Sequence, residues 1–314
     1  MTNFHSGNPV VTFTLDNLEV AYEKQIALKC EKAIFSGNVL ALIGHNGAGK
    51  STFLKTILGL LMPKTGSIEV NFTRDGVSYE KLKPEESIAY CPESGSVFSD
   101  ITVRQYVELW CRLKTKDPKH YKSPEGVEVM EYLDMNPLMR KLGRELSKGQ
   151  RRRVQTAIGF LISPKLFLID EPFDGLDVQR THRLTSLIRL FSQKMTFVVS
   201  SHRMDVMERL ADYVVVFYQG QLRASGSVSH VTQSLAGSTL VLETDLDHAR
   251  LQEDLSLRWP NSVINSHGGY LTLTGEGIDL EQVKMVASLG SGKIRTVSPT
   301  LVDAMTYHLK TSLS

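Results

Sequence analysis

Cysteine is scarce in this 314-residue chain: there are three, Cys30, Cys91 and Cys111, and they stand singly. No pair has metal-ligand spacing, and an odd number argues against a disulfide framework. The expectation is three reduced thiols in a cytosolic compartment. An excess of one charge is missing too, since 36 basic residues face 34 acidic ones for a formal net charge of +2. A protein that works on DNA or RNA usually carries a larger or more segregated positive balance, so no nucleic-acid partner is expected. Long apolar runs are also absent. VVVF (214–217) and LFLI (166–169) are too short to cross a bilayer. The opening MTNFHSGNPV has neither the basic leader nor the apolar stretch of a signal peptide. What remains is ordinary for a globular protein, with 41% hydrophobic and 22% charged residues. At this length, one large domain or two modest ones are expected.

NVLALIG (38–44) is an apolar run ending in glycine, GHNGAGKST follows, and TFLKTILGLL (52–61) has apolar residues at helical spacing. The order reads strand, loop, helix. KLFLID (165–170) and MTFVVSSH (195–202) read as buried parallel strands. RRRVQTAIGFLI (151–162) and QRTHRLTSLIRLF (179–191) carry helical patterns. This alternation predicts an α/β domain with a substantially parallel sheet over residues 1–225. Residues 219–238 are rich in Gly and Ser, and 226–237 read as a linker. The tail, 238–314, is expected to form a small α+β domain in the order βαββαβ. Its strand at 239–244 leads to a helix at 247–259, a hairpin at 263–275, a helix at 279–289 and a strand at 293–297.

GHNGAGKS, Gly44 to Ser51, fits G-x-x-x-x-G-K-[ST]. Its glycines let the backbone fold tightly and aim N–H groups at phosphates. Lys50 can reach the β- and γ-phosphates, and the Ser51 hydroxyl can bind Mg²⁺. The helix that follows adds its N-terminal dipole. The alternative is a chance match, which arises in roughly one chain per hundred of this length. Asp170 and Glu171 close an apolar strand ahead of Pro172. At a strand's carboxyl end, one acid can hold Mg²⁺ through water and its neighbour can orient and deprotonate the attacking water. A helix N-cap with a solvated neighbour is the competing reading. His202 ends the next apolar strand, where a phosphate or water contact competes with a structural hydrogen bond. LSKGQRRR (146–153) has one glycine and four positive charges. It is open to three readings: a nucleic-acid patch, a solvated helix start, or half of a phosphate site.

Taken in order, Gly44 to Ser51, LSKGQ (146–150), LFLIDE (166–171), FDGLD (173–177) and Ser201-His202 resemble the nucleotide-binding subunit of an ATP-binding cassette (ABC) transporter. The resemblance covers roughly residues 10–225. It implies a P-loop NTPase fold of the ABC ATPase type, with a RecA-like core, an antiparallel β subdomain and a helical signature subdomain. It implies that Gly44, Asn46, Gly47, Ala48, Gly49, Lys50, Ser51 and Thr52 bind ATP and Mg²⁺. Asp170 would hold the metal through water, Glu171 would be the general base, and His202 would sense the γ-phosphate. Ser147, Lys148, Gly149 and Gln150 are similar to the family's LSGGQ, which contacts the γ-phosphate bound by the opposite subunit. A helix N-terminus at Ser147 suits an anion. Val154, Ala157, Ile158 and Leu161 give that helix one buried stripe. The three arginines, 151–153, point in different directions and read as a mostly solvated first turn. Asp177 would lie in the loop linking the two sites of a dimer. Tyr22 resembles the aromatic that stacks on adenine, with a core or strand-face tyrosine as the alternative.

Two departures stand out. Glu93, in Tyr90-Cys-Pro-Glu93, occupies the place of a glutamine that touches Mg²⁺ in the family. A carboxylate can still bind Mg²⁺, but it adds negative charge beside the triphosphate. Lys148 departs from LSGGQ. Together with the Gly of FDGLD, these changes resemble the branch serving exporters with a separate membrane permease, whose cargo includes drugs, antibiotic peptides and sodium. Residues 298–310 loosely resemble that branch's C-terminal end. The implied protein is an ATPase motor on the cytoplasmic face of the membrane, with two copies closing head to tail on two ATP. A dimer contact is the expected role of the tail. One competing reading is a non-transport ABC protein acting on ribosomes or DNA. A single phosphate loop, no sustained heptads and near-neutral charge oppose it. Another is a small-molecule kinase that shares only the phosphate loop.

Overall fold

The computed structural model describes residues 10–23, 25–74, 77–244, 247–267, 269–287 and 293–313. Strands β1 (Val10–Tyr22), β2 (Gln25–Cys30), β3 (Ala33–Gly37) and β4 (Val39–Ile43) precede helix α1 (Lys50–Ile57). Then come β5 (Thr65–Arg74), β6 (Val77–Lys81), the short α2 (Pro84–Ser87) and β7 (Ile88–Cys91). Helices α3 (Val103–Thr115), α4 (Pro124–Tyr132) and α5 (Lys148–Leu161) follow. Next are β8 (Leu166–Asp170), α6 (Val178–Phe191), β9 (Thr196–Ser201), α7 (Met204–Leu210), β10 (Tyr213–Tyr218) and β11 (Gln221–Gly226). The remainder is α8 (Val228–Ala236), β12 (Ser238–Glu243), α9 (His248–Arg258), β13 (Val263–His267), β14 (Tyr270–Gly275), α10 (Leu280–Ala287), β15 (Lys293–Val297) and α11 (Leu301–Leu313).

The large sheet runs β6-β5-β1-β2-β11-β10-β4-β9-β8-β7, with β3 paired to β1. Strands β10, β4, β9, β8 and β7 are parallel. Every residue of β4, β8 and β9 is buried, as expected for a sheet covered on both faces. Strand β1 pairs antiparallel with β2, β3 and β5, and β5 with β6. The result is the expected α/β fold of an ABC ATPase, a parallel core flanked by an antiparallel layer. The carboxyl ends of β4, β8 and β9 lead into the phosphate loop, Glu171 and His202, the edge where open α/β sheets hold ligands. Helix α5 lies close against β8. A Cβ on Gly159 would meet the Phe167 ring at 2.0 Å, so only glycine lets the helix approach this strand.

In the outline of the elements, sequence and structure differ in three places. Helix α1 ends at Ile57, not at residue 61, because Gly59 turns the chain at φ 69°. Residues 226–237 are not an irregular linker. Ser227 accepts the His230 N–H and starts α8, which buries Val231, Thr232 and Ala236. Finally, 301–313 form a full helix, α11. The small sheet runs β13-β14-β12-β15 and is antiparallel throughout. With α9 and α10 this is the split βαββαβ, or ferredoxin-like, arrangement.

The chain divides into two compact units. One runs to Arg203 and resumes over Leu210–Arg223, and the other comprises Met204–Arg209 and Ala224–Ser314. In the second, the Leu301 N–H donates to Glu208 Oε2 at 3.2 Å. Burial raises the Glu208 carboxyl above its ordinary range. All three thiols are buried and unpaired, and burial pushes Cys91 and Cys111 up to about 11 and Cys30 to about 12. Among the described residues, no helix is long and apolar enough to cross a membrane.

Candidate functional site

The loop leaving β4 enters α1 at Lys50, with Gly49 as N-cap and no side chain capping the first turn. The leading N–H groups therefore stay available to an anion, and the helix dipole favours one there. Lys50, 6% exposed, folds back onto its own loop. Its Nζ donates to the Gly44 carbonyl at 2.6 Å and the His45 carbonyl at 3.3 Å, and lies 3.2 Å from Glu171 Oε1.

Glu171 sits just beyond β8 at φ 48°, a left-handed conformation that costs a residue with a Cβ about 1–2 kcal/mol. Its N–H donates to Ser200 Oγ at 2.9 Å and its carbonyl accepts Arg152 Nη1 at 3.0 Å. Its Oε2 accepts the His202 N–H at 3.2 Å and lies 3.0 Å from His202 Nδ1. Lys50, Glu171 and His202, delivered by three neighbouring strands, thus form one polar chain. Glu171 Oε1 is buried, meets Lys50 as an ion pair and makes no hydrogen bond among the described residues. Asp170 lies buried beside this chain, accepting from Ser200 Oγ and, at 3.5 Å, from the Tyr90 hydroxyl. Burial first and the Asp170 charge second push the Tyr90 phenol up, so it stays a donor.

A cavity of about 680 Å³ opens over the loop, lined by Tyr22, residues 45–52, Glu93, Glu171, Gln219 and Gly220 among others. Tyr22, 45% exposed, stands at this cavity rather than in the core. The donor set fits a magnesium nucleotide. The uncapped helix start and Lys50 suit phosphate, and Ser51, Asp170 and Glu93 offer hard oxygen donors. Glu171 Oε1 retains capacity for one more donor. Among the described residues no cluster of three or more His, Cys, Asp or Glu could hold a metal unaided. Mg²⁺ beside phosphates needs only one or two carboxylates plus waters.

LSKGQ lies elsewhere. Ser147 caps α5 in a reciprocal box with Gln150: Gln150 N–H donates to Ser147 Oγ at 3.3 Å, and Ser147 N–H to Gln150 Oε1 at 3.1 Å. Ser147, Lys148, Gly149 and Gln150 line a second cavity of about 530 Å³ with Asp174, Arg180 and Arg183. One chain therefore does not bring its phosphate loop and its LSKGQ to the same cavity. Asp177 is the exposed N-cap of α6 and accepts the Arg180 N–H at 2.8 Å. The two departures from the family pattern meet each other, with Lys148 Nζ 2.8 Å from Glu93 Oε1. The hydrogen bond from Lys148, then its charge, hold the Glu93 carboxyl below its ordinary range.

The arginine run is not a solvated turn. Arg152 is 7% exposed, and its guanidinium donates to the carbonyls of Glu171 and Asp174. Arg153 pairs with Asp134 at 3.1 Å, and Arg151 Nε donates to the Leu146 carbonyl at 3.1 Å. Tyr90 and Ser200 join the site without a motif of their own: the Ser-Ser pair before His202 is the one sequence signal for Ser200, and nothing local marks Tyr90.

Residues 29–174 match the family model described as ABC transporter. The chain carries an ABC transporter ATP-binding domain. An AAA-domain model also matches residues 144–208. Human ATP-binding cassette sub-family A member 10 is 32% identical over 194 residues, 62% of this chain and 12% of that protein. Human phospholipid-transporting ATPase ABCA3 is 26% identical over 240 residues, 75% of this chain and 14% of that one. The matched stretch thus spans only 12–14% of these relatives. A solved ATP-binding subunit of an ABC transporter aligns with a TM-score of 0.61 at 28% identity, covering 71% of this chain and 92% of that chain. The family match takes in the ABC domain's phosphate loop, LSKGQ and Asp170-Glu171, and ends before Asp177 and His202.

Proposed function

We propose that this ABC domain is the ATP-hydrolysing motor of a transporter whose membrane permease is a separate chain. The observation that carries the reading is the polar chain Lys50–Glu171–His202, built from the uncapped start of α1 and the ends of β8 and β9. Bound Mg²⁺ would neutralise developing phosphate charge, held by Ser51, by Asp170 through water and by Glu93. Lys50 releases the Gly44 and His45 carbonyls and turns to the β- and γ-phosphates. Glu171 Oε1 accepts the proton of the attacking water, while Oε2 stays on His202. His202, half exposed beside Glu171, is the group that meets the γ-phosphate. Tyr22 stacks on the adenine.

Two copies, on this reading, close head to tail around two ATP. The separation of the two cavities supports it: LSKGQ lines a cavity other than that of its own phosphate loop, and of its residues only the Lys148 side chain reaches Glu93 of the latter. The Lys148 and Gly149 amides then meet the partner copy's γ-phosphate, with Asp177 at the crossing between sites. Pro-Glu93, Lys148 and Gly175 support the exporter branch and a place on the cytoplasmic face of the membrane. The cargo in ABCA3's name belongs to a protein of which the match covers 14%, and here the permease sets the cargo. The contacts of all three arginines with groups of their own chain argue against a nucleic-acid patch at LSKGQRRR. Glu171→Gln should retain ATP affinity while turnover falls by about 10²–10³-fold, with dimers accumulating on ATP in size-exclusion chromatography. Turnover at the parental rate would withdraw Glu171 as base.

A further inference from the structure

We infer that Arg152 is a positioning residue for hydrolysis: its guanidinium, reaching out of α5, holds the backbone turn that presents Glu171. The inference rests on the reading of Glu171 as the base.

Arg152 is a buried cation that also borders the LSKGQ cavity, but its guanidinium is engaged by backbone carbonyls and on the proposed reading it makes no nucleotide contact. Its Nη1 donates to the Glu171 carbonyl at 3.0 Å and its Nη2 to the Asp174 carbonyl. One planar fork thus brackets both ends of the turn from Glu171 to Asp174. From inside the turn, the Asp174 N–H reaches the Glu171 carbonyl at only 3.3 Å. Glu171 needs such support because it stands at φ 48°. A residue with a Cβ keeps that conformation only where its surroundings over-determine it. Ser200 fixes the N–H side of Glu171, at 2.9 Å to its Oγ, and Arg152 fixes the carbonyl side. Burying a guanidinium against neutral carbonyls is costly unless its hydrogen bonds are used, and a position that only needed filling would suit an apolar residue.

The base of the fork is itself held. Gly159 lets α5 lie flush on Phe167 of β8. On the other side, the Ser96 N–H donates to Gln155 Oε1 at 2.5 Å. Gly95, at φ 63°, packs so closely that a Cβ there would lie 2.4 Å from the Arg152 nitrogen. The first turns of α5 therefore grip the loop carrying Glu93 as well as the turn carrying Glu171. Arg152 is the side chain through which the helix that opens at Ser147 reaches the base.

The test compares the full chain with Arg152→Met, Arg152→Lys and Glu171→Gln. It measures ATP turnover, affinity for a fluorescent ATP analogue, thermal midpoint, and amide hydrogen exchange of residues 171–176 without nucleotide. Arg152→Met should lower kcat by about 100-fold with nucleotide affinity within about twofold, and exchange at 171–176 should quicken. Arg152→Lys should recover only part of the loss, about tenfold below the parent, because one ammonium cannot span both carbonyls. Parental kcat in Arg152→Met, or unchanged exchange at 171–176, would overturn the inference. So would a parallel loss of affinity, midpoint and kcat, the mark of a merely structural role. If Arg152→Met does not fold, parental kcat in Arg152→Lys overturns it. Glu171→Gln separates the two failures. If it is inactive while Arg152→Met is active, only the role of Arg152 falls. If it turns over at the parental rate, the base and its positioning residue fall together.

Discussion

Helices α1 and α5 both begin behind a small residue and both carry a lysine at their first position, yet their starts end in different states. Behind Gly49, α1 has no side-chain cap, and Lys50 is drawn onto the loop's own carbonyls and Glu171. Behind Ser147, α5 is closed by a complete capping box, and Lys148 reaches sideways to Glu93. The first start has spare donors and a buried cation that can be re-aimed. The second keeps only the Lys148 and Gly149 amides. A helix dipole is common to both, so the side chains around each start decide what it can bind. On the proposed reading, the α1 start holds a triphosphate within one chain, whereas the α5 start adds to a phosphate that another copy brings.

The largest effect should come from emptying the first start. Lys50→Ala is expected to lower turnover at least about 100-fold and ATP affinity more than about tenfold. Equilibrium binding of a fluorescent ATP analogue and phosphate release would measure both. Parental affinity in this variant would move the triphosphate away from α1 and erase the contrast.

Opening the second start should act differently. Ser147→Ala removes the oxygen that accepts the Gln150 N–H at 3.3 Å. Denaturant unfolding should show a loss of about 1 kcal/mol. ATP affinity should hold while turnover falls by about tenfold if, as proposed, the affected site serves the partner copy's nucleotide. A matching loss of affinity would mean that the two helix starts serve one site in one chain.

How legible each start was in the sequence follows from the same contrast. The α1 site could be read because its parts are contiguous, an apolar strand, a glycine loop, Lys50 and Ser51 in unbroken order. Glu171 and His202 could be read because each closes a buried strand, and a parallel sheet brings strand ends to one edge. Arg152 could not. Consecutive residues on a helix point about 100° apart, so three arginines in a row differ only in what they meet: the Leu146 carbonyl for Arg151, the turn after β8 for Arg152, and Asp134 for Arg153. Ser200 is fully buried and serves both Asp170 and Glu171, a role set by the neighbouring strand. Residues 226–237 misled through composition. The small residues there cap α8 at Ser227 and pack Ala236 with Val263, Ala304 and Tyr307. In the tail, alternating patterns gave the order βαββαβ and the β13–β14 hairpin, but the pairing of β12 with β14 and β15 is a long-range outcome that no local pattern contains.

The smallest expected effect concerns the sideways reach of Lys148. Its hydrogen bond and charge hold the Glu93 carboxyl below the ordinary 4.5, so the folded state gives up that proton more readily than the unfolded chain. The pair's contribution is therefore complete above 4.5 and is lost as pH falls through the lower folded value. Lys148 and Glu93 side chains are 62% and 51% exposed, which limits the contribution to about 0.2–1 kcal/mol, weaker in high salt. Lys148→Met should thus be slightly less stable than the parent near neutral pH, and the two should converge in acid. Urea unfolding across that range would measure the difference. If the gap stayed flat or widened in acid, Lys148 would not be spent on Glu93. The α5 start would then carry a free cation, and its contrast with α1 would rest on the capping box alone.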